Sequence, residues 1–443
     1  MKKAFLLIII CLIFSGSFAQ ERDIYKKITA MTGQVSTERL ESYIKKLVGF
    51  HNRNTFSDTL SETRGIGAAR RWIFEEFNRI NRETGGRMKI YFDEFIWDVP
   101  QRYQRSTGIE KLKMANVVAV IPGKTDRKLV INGHYDSRNT SGIDVEKFAP
   151  GANDDLSGTA ALFEIARILS KENPVNTIIL SANVAEEQGL LGANHMSEEA
   201  KAESWKLEGV IANDMISNIK GGDGRSDNTI LRCFSPDPAE SPSRNFALYV
   251  NNISEKYVPD LKLKMIFRLD RFGRGGDHSP FVRQGFAGIR FTEPYENYEN
   301  QHSPSDTPEN MSFEYFTRTT KMNVAIVSYW AYSPESPMIV SVRRDNDYRT
   351  QLSFICNEPE ENIKGFKVYM RETDSGYWTE SMFFPVPEKI ENRRFGEAYS
   401  VTLDNRDQDY YIFGIASVNK NGYESIVSTY DREKVREKIQ GNE

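Results

Sequence analysis

Residues 131–158 read INGHYDSRNTSGIDVEKFAPGANDDLSG, and this stretch decides the fold of the chain. The apolar run that leads into it, residues 128–132, is typical of a short buried strand. An apolar helix is predicted directly after it, over residues 159–169. Small residues and carboxylates would make a poor core between a strand and a helix. Because glycine allows sharp turns, and carboxylate and imidazole groups are metal ligands, the stretch predicts a cation site.

Strand and helix patterns alternate through the first three quarters of the chain. Continuous apolar runs at residues 176–182 and 209–213 are typical of strands buried on both faces. Helices are predicted over residues 192–205 and 314–331. This alternation predicts an α/β fold, a mostly parallel sheet covered by helices on both faces. In such sheets the functional residues lie beyond the carboxyl ends of the strands.

The composition changes after residues 333–337 (SPESP), which we interpret as a linker. Short apolar runs separated by turn residues predict an all-β sandwich over residues 338–430. Within it, residues 365–370 and 410–425 resemble strands of fibronectin type III domains. A charged tail follows at residues 431–443.

The first 19 residues have the features of a secretory signal peptide. Lys2 and Lys3 precede an apolar run over residues 4–14, and Ser17-Phe-Ala19 follows. We therefore expect cleavage near Ala19 and export to the periplasm or the exterior. The run is shorter than the roughly 20 residues that span a bilayer, so no stable membrane anchor is expected.

Composition limits the partners of the chain. A net charge of -4 without a long basic run gives no indication of a nucleic-acid partner. Cys233 and Cys356 fall in different predicted domains, so both are expected to be free. A first domain is predicted over residues 20–332, and its mostly polar beginning, residues 20–35, is expected to lie over the surface. The oligomeric state is not indicated.

Five clusters of acidic and imidazole side chains follow predicted strands. Alone, each has an ordinary structural interpretation, such as a helix N-cap or a solvated helix start. Together they indicate a cation, because buried acids at strand ends need a neutralising charge. The clusters contain His134 and Asp136, Asp154 and Asp155, Glu186 and Glu187, Asp214, and His302 with Asp306.

Imidazole and carboxylate ligands without thiolates suit zinc in a catalytic site. Two histidines and three acids are too many for one such ion, but they suit two ions that share a bridging carboxylate. Glu186, beside Glu187, is a candidate general base. Asp136 lies two residues from His134 and is placed to orient its imidazole.

The motifs GHYDS, PGANDDLSG, AEEQGLLGA, NDM and HSPSDT occur in this order along the chain. In this respect residues 38–332 resemble the co-catalytic di-zinc exopeptidases of peptidase family M28, which include secreted leucyl aminopeptidases. The resemblance implies a three-layer αβα sandwich around a mixed sheet. It also implies a peptide substrate, two zinc ions per chain and removal of amino-terminal residues.

The resemblance further assigns metal ligands. It implies that His134 and Asp214 bind one zinc ion and that Glu187 and His302 bind the other. Asp154 would bridge the two ions, and the peptide bond after it would be cis.

The resemblance implies that Glu186 is the general base and then the general acid. In one respect the chain departs from the family, whose aminopeptidases carry a tyrosine that holds the oxyanion. Gly273 and Arg274 stand in that region. Arg271 or Arg274 would replace the tyrosine or bind a substrate carboxylate. We interpret the nearby His278 as structural.

Two alternatives stay open. One is a glutaminyl cyclase-like transferase with a single zinc ion, and the other is a non-catalytic binding protein on the same scaffold. The sequence does not decide which end of a peptide is trimmed or which side chains are preferred.

Overall fold

A computed structural model describes residues 20–345 and 348–440 of the chain. The predicted signal peptide, residues 1–19, lies outside the described residues. The described chain divides into two compact units. The larger comprises Met31–Asp237 and Val250–Ala331, and the smaller comprises residues 20–30, Pro238–Tyr249 and the described residues from 332 onward. The domain limits derived from the sequence stay a prediction.

Ten α-helices are present in the described residues. They are α1 (residues 20–32), α2 (Thr37–Val48), α3 (Gly65–Glu83), α4 (Gln101–Thr107), α5 (Leu156–Leu169), α6 (Leu191–Ala202), α7 (Pro242–Tyr257), α8 (Ser279–Arg283), α9 (Phe313–Trp330) and α10 (Arg432–Gln440). Two short 3-10 helices lie at Pro308–Asn310 and Glu360–Asn362. None of the helices in the described ranges has the length and apolarity needed to cross a membrane.

The larger unit is built on an eight-stranded mixed sheet. Its strands are β1 (Lys89–Asp98), β2 (Lys111–Ile121), β3 (Lys128–His134), β4 (Thr177–Asn183), β5 (Leu207–Asn213), β6 (Ile230–Phe234), β7 (Lys262–Ile266) and β8 (Gly288–Thr292). Their order is β1-β2-β4-β3-β5-β8-β6-β7. The central strands β4, β3, β5 and β8 are mutually parallel, so their carboxyl ends meet at one edge.

Helices cover both faces of this sheet. On one face α5 packs on β3, and α2, α3 and α9 contact α5. On the other face, α6 and α8 pack against strand residues such as Val130 and Val210 through Met196 and Phe281. The predicted three-layer αβα sandwich with a mixed sheet is therefore confirmed.

The expectation that residues 20–35 lie over the surface is wrong. Residues 20–32 form helix α1, and Ile24, Ile28 and Met31 are buried. These apolar residues are spaced by four and three positions, which places them on one helical face. Because most residues of the segment are polar, the sequence did not indicate this short apolar face.

The smaller unit contains two four-stranded sheets of antiparallel strands, in the orders β13-β14-β10-β9 and β12-β11-β15-β16. The strands are β9 (Met338–Arg344), β10 (Thr350–Ile355), β11 (Ile363–Glu372), β12 (Glu380–Pro385), β13 (Lys389–Asn392), β14 (Gly396–Leu403), β15 (Tyr411–Asn419) and β16 (Ser428–Thr429). Both sheets contribute to one core, with Phe354 from one and Phe366 from the other in contact. The predicted all-β sandwich is confirmed, whereas its likeness to fibronectin type III domains stays a prediction.

Strands β12 and β13 were not predicted. Nearly all their residues are exposed or half-buried, so they lack the apolar alternation that marks a strand in sequence. Within the described residues Cys233 and Cys356 form no disulfide, as expected.

Candidate metal centre

The predicted site residues follow the carboxyl ends of adjacent parallel strands. His134 ends β3, Glu186 and Glu187 follow β4, and Asp214 follows β5. Since β3 lies between β4 and β5, the three strand ends are neighbours. Sheet geometry therefore brings together residues that are up to 80 positions apart in the chain.

Asp155 connects these strand ends to helix α5. It caps the helix, because its Oδ1 accepts hydrogen bonds from the backbone N–H of Gly158 (2.9 Å) and also of Met215 (3.1 Å). Its Oδ2 accepts one from the backbone N–H of His134 (3.0 Å). The N-cap interpretation of this acid is confirmed, and the same carboxylate also fixes the backbone at two strand ends. The peptide bond between Asp154 and Asp155 is cis, as the resemblance implied.

Two glycines allow α5 to approach the strands this closely. A Cβ at Gly133 would lie 2.5 Å from the backbone carbon of Gly158. A Cβ at Gly158 would lie 2.5 Å from the carbonyl oxygen of Asn213. Neither position has room for a side chain, so the helix begins directly against the strand ends.

The Asp154 carboxylate lies between two imidazoles. His134 Nε2 is 3.2 Å from Asp154 Oδ1, and His302 Nε2 is 3.2 Å from Asp154 Oδ2. His302 Nε2 is also 2.9 Å from Glu187 Oε1. On the other side, ligand atoms of His134, Glu186 and Asp214 lie within 4.8 Å of one another. The structure thus brings together all the residues predicted as metal ligands.

Several of these ligand atoms are buried and make no well-aligned hydrogen bond. They are His134 Nε2, Glu187 Oε1 and Asp214 Oδ1. Buried polar atoms are normally satisfied, so three such atoms converging on one place indicate a missing partner. Nitrogen and carboxylate oxygen donors without thiolates fit zinc in a catalytic site. The residues present therefore fit the metal that their sequence pattern predicted.

Burial and charge perturb the acids of this site in opposite directions. Burial raises the pKa of Glu186 well above its ordinary value, and burial raises the pKa of Asp214 to about 6. For Asp154 burial is outweighed by the hydrogen bonds and charges of His134 and His302, which hold its pKa well below the usual range. Against burial, Asp154 and Glu187 raise the pKa of His302 to about 9. Negative charge is thus concentrated where a divalent cation would relieve it.

Asp136 lies beside His134, as predicted, and its contacts extend further. Its main-chain oxygen is 3.1 Å from His134 Nδ1, and its Oδ1 is 3.5 Å from the same nitrogen. Its carboxylate also accepts hydrogen bonds from the backbone N–H groups of Glu186 (3.2 Å) and Glu187 (3.3 Å). One buried acid therefore holds both an imidazole and the loop that carries the candidate base.

Arg271 and Arg274 lie at the same cavity but bond to an acid that the sequence did not indicate. Both donate to Glu296 Oε2, at 2.8 Å from Arg271 Nη1 and 3.0 Å from Arg274 Nη1. The cavity has a volume of about 260 Å³ and is also lined by Asp154, Glu186 and His302. His278 does not line this cavity; it is buried, and its Nε2 is 2.7 Å from the carbonyl oxygen of Leu269.

The candidate ligands have further polar partners that the sequence did not assign to them. Arg138 Nε lies 2.7 Å from Glu187 Oε2, and Gln301 donates to Asp154 Oδ2 at 3.0 Å. Arg290, fully buried in β8, lies 2.8 Å from Asp214 Oδ2. Asp306, in the HSPSDT motif, accepts from the backbone N–H of Asp154 at 3.0 Å. Only Asp306 had a signal in the sequence, since it belongs to a recognised motif.

Comparison with known sequences agrees with this site. A model of the sequence family described as "Peptidase family M28" matches residues 116–327. A protein of Leptosphaeria maculans named "Probable zinc metalloprotease" is 34% identical over 432 residues, with 90% of this chain and 96% of that protein covered.

Two solved structures share the fold. The LapA aminopeptidase of Legionella pneumophila superposes with a TM-score of 0.56 at 20% identity, covering 70% of this chain and 75% of the other. The glutaminyl cyclase of Macrostomum lignano superposes with a TM-score of 0.53 at 15% identity, covering 68% of this chain and 91% of the other. At these identities the likeness concerns the fold alone, since one fold supports several chemistries.

Proposed function

The chain belongs to peptidase family M28, and from that premise we propose that it is an exported zinc-dependent exopeptidase that removes residues from the amino terminus of peptides. The observation that carries the proposal is the position of the Asp154 carboxylate, between the imidazoles of His134 and His302. A carboxylate shared by two imidazoles suits a bridge between two cations. The relatives named as zinc metalloproteases support zinc as the metal.

In this proposal five residues would hold two zinc ions. His134 and Asp214 would hold one, Glu187 and His302 would hold the other, and Asp154 would be shared. Zinc bound there would polarise a carbonyl group and lower the pKa of a water molecule. Arg138 and Gln301 then orient Glu187 and Asp154 through their hydrogen bonds to the ligand carboxylates.

Glu186 is the proposed general base. Burial raises its pKa, which favours a carboxyl group that can both take up and release a proton near neutral pH. It would accept the proton of the attacking water and pass it to the leaving amine. Asp136 is the proposed positioning residue, since it holds the backbone N–H of Glu186 and lies against His134.

The remaining parts of the proposal rest on the sequence. The pattern of residues 1–19 supports export through a cleaved signal peptide near Ala19. The antiparallel sandwich of the smaller unit suits a fibronectin type III-like domain. A peptide substrate is the proposed partner. No stable membrane anchor and no nucleic-acid partner are proposed.

The glutaminyl cyclase-like alternative uses a similar scaffold with one zinc ion. His134 lies against one oxygen of Asp154 and His302 against the other, with Asp214 near His134 and Glu187 near His302. This arrangement favours two ions over one. It also argues against a non-catalytic binding protein, which would not need a complete ligand set.

A digest of a peptide library, read by mass spectrometry with and without a chelator, tests the proposal. We expect zinc-loaded protein to remove single residues from the amino terminus, and we expect the chelator to stop the reaction. Trimming from the carboxyl end would reject the aminopeptidase assignment. No cleavage at all by zinc-loaded protein would favour the binding-protein alternative, and cyclisation of amino-terminal glutamine would favour the transferase.

A further inference from the structure

The cavity at the candidate metal centre is unusually polar for a peptide side-chain pocket. Among its lining residues in the described chain, only Leu190 has an apolar side chain. Pockets that accept leucine or phenylalanine side chains are lined mainly by apolar groups. This cavity is lined instead by carboxylates and by three guanidinium groups, those of Arg138, Arg271 and Arg274.

The three arginines differ in how many donors they have left. Arg138 bonds only through Nε, but its partner is Glu187, a proposed metal ligand, so its guanidinium is held against the metal centre. Arg271 bonds through all three nitrogens, through Nε to Asp270, through Nη1 to Glu296 and through Nη2 to the carbonyl oxygen of Gly275, and its side chain is 11% exposed. Arg274 bonds only through Nη1, to Glu296, and is 34% exposed. Its Nε and Nη2 have no hydrogen-bond partner among the residues that the structure describes.

The carboxylate of Glu296 holds the guanidinium groups of Arg271 and Arg274 in place without neutralising their combined charge. Its side chain is 4% exposed and accepts from Arg271, from Arg274 and, through Oε1, from Arg232 Nη2 at 3.0 Å. One carboxylate therefore serves three guanidinium groups. When the ligand carboxylates are neutralised by metal, the wall of the cavity keeps an excess of positive charge.

Arg274 lines the cavity together with candidate metal ligands. Although burial lowers its pKa, the carboxylates of Glu296, Asp214 and Asp154 together raise the pKa of its guanidinium. Arg274 lines the same cavity as the ligand acids Asp154 and Asp214. A group bound at the metal centre would therefore lie within reach of its free donors.

We propose that Arg274 binds a carboxylate of the substrate, and that the preferred substrates are peptides with a carboxylate beside the scissile bond. This inference rests on the proposed peptidase function. A guanidinium donates paired hydrogen bonds that match a carboxylate in geometry, and such charge-assisted bonds are among the strongest in proteins. The carboxylate is either the side chain of an amino-terminal Glu or Asp, or the free terminus of a dipeptide.

Binding by calorimetry tests the proposal without turnover, in zinc-loaded full-length protein carrying Glu186→Gln. One pair of ligands, Glu-Ala-Ala-amide and Gln-Ala-Ala-amide, tests the side-chain source. A second pair, Leu-Ala and Leu-Ala-amide, tests the terminal source. In at least one pair we expect the acid to bind roughly 10- to 100-fold more tightly than the amide, the range for a hydrogen bond to a charged group.

Arg274→Gln should remove that difference. Arg283→Gln should keep it, because Arg283 is an exposed arginine outside the cavity that bonds to Asn194. Equal binding of acid and amide in both pairs would overturn the proposal. If Arg274→Gln still binds the acid more tightly than the amide, Arg274 is not the residue that binds the carboxylate.

The same peptides distinguish this failure from failure of the proposed function. If protein with Glu186 intact hydrolyses acid and amide peptides at equal rates, the peptidase stands and the carboxylate preference is rejected. If it hydrolyses neither but binds the acids more tightly, carboxylate recognition stands and the peptidase is rejected.

Discussion

The guanidinium of Arg290 is completely buried and lies 2.8 Å from the carboxylate of Asp214. It also lies 3.0 Å from both oxygens of Asp270. Arg290 thus occupies one oxygen of Asp214 and leaves Oδ1 free toward the metal centre. A buried cation in this position stabilises a carboxylate that would otherwise be expensive to ionise inside the protein.

Replacing Arg290 by methionine should destabilise the larger unit by about 3–5 kcal/mol, because it leaves the buried charges of Asp214 and Asp270 without their partner. Urea unfolding of the metal-free protein measures the loss. Arg225→Met is the matched control, since Arg225 pairs with Asp223 at the surface, where solvent screening leaves an ion pair with little effect on stability. If the free energy of unfolding falls equally in the two variants, the buried ion pair contributes no more to stability than the surface pair.

Glu186→Gln should abolish peptide hydrolysis and leave the metal content unchanged. The amide cannot accept the proton of the attacking water, and Glu186 is not among the proposed ligands. Metal content by elemental analysis and turnover on a peptide substrate measure the two properties separately. Retained turnover would remove Glu186 as the base, and loss of one metal would make it a ligand.

His302→Ala should reduce the metal content from two ions to one per chain. His302 contacts Asp154 and Glu187, whereas His134, Asp154 and Asp214 remain for the other ion. Titration with zinc against a chromophoric chelator gives the stoichiometry. One ion in the unmodified protein would instead favour the single-zinc alternative.

Gly158→Ala should lower both stability and zinc affinity. The added Cβ would lie 2.4 Å from Asp155 Oδ2 and 2.5 Å from the Asn213 carbonyl oxygen. Because α5 must move away, the loss of stability should be about 1–3 kcal/mol, the range for an overpacked core. Zinc affinity should fall because Asp155 also fixes the backbone of His134.

Gly222→Ala is the control for this glycine substitution. Its added Cβ would come no nearer than 3.3 Å to a neighbouring atom, the Oδ1 of Asn297. A side-chain oxygen of this kind can move aside, so stability and zinc affinity should stay close to those of the unmodified protein. If Gly158→Ala behaves like this control, α5 is not held as tightly as the distances indicate.

The pair formed by His195 and Asp93 should stabilise the protein more at low pH than at high pH. His195 Nε2 is 2.9 Å from Asp93 Oδ1, and this hydrogen bond raises the pKa of His195. A raised folded-state pKa gives stability that is fully present below the unfolded value of about 6.5 and is lost as the pH rises through the folded value.

A double-mutant cycle with His195→Gln and Asp93→Asn isolates this contribution. The coupling energy should be under about 1 kcal/mol, since His195 is partly exposed, and it should be larger at about pH 6 than at about pH 9. A coupling that is constant or increases with pH would contradict the assignment.

Much of the larger unit could be predicted because its signals are local. Apolar runs in β3, β4 and β5 identify buried strands, and each has an acid or histidine of the site at its end or within three residues after it. Helix α1 and strands β12 and β13 could not be predicted in this way. In α1 only three apolar residues are buried, and in β12 and β13 no side chain is buried.

The sequence by itself determined the fold class, the candidate ligands and the candidate base, because periodicity and short motifs depend on neighbouring residues. Only the tertiary structure decided how these groups are charged and oriented. Arg290 reaches Asp214 across 76 positions of sequence, and Arg274 reaches Glu296 across 22. Ion pairs of this kind depend on which distant residues the tertiary fold brings together, and no local sequence pattern indicates that. The polarity of the cavity follows from these tertiary contacts. The substrate class that we propose follows from that polarity.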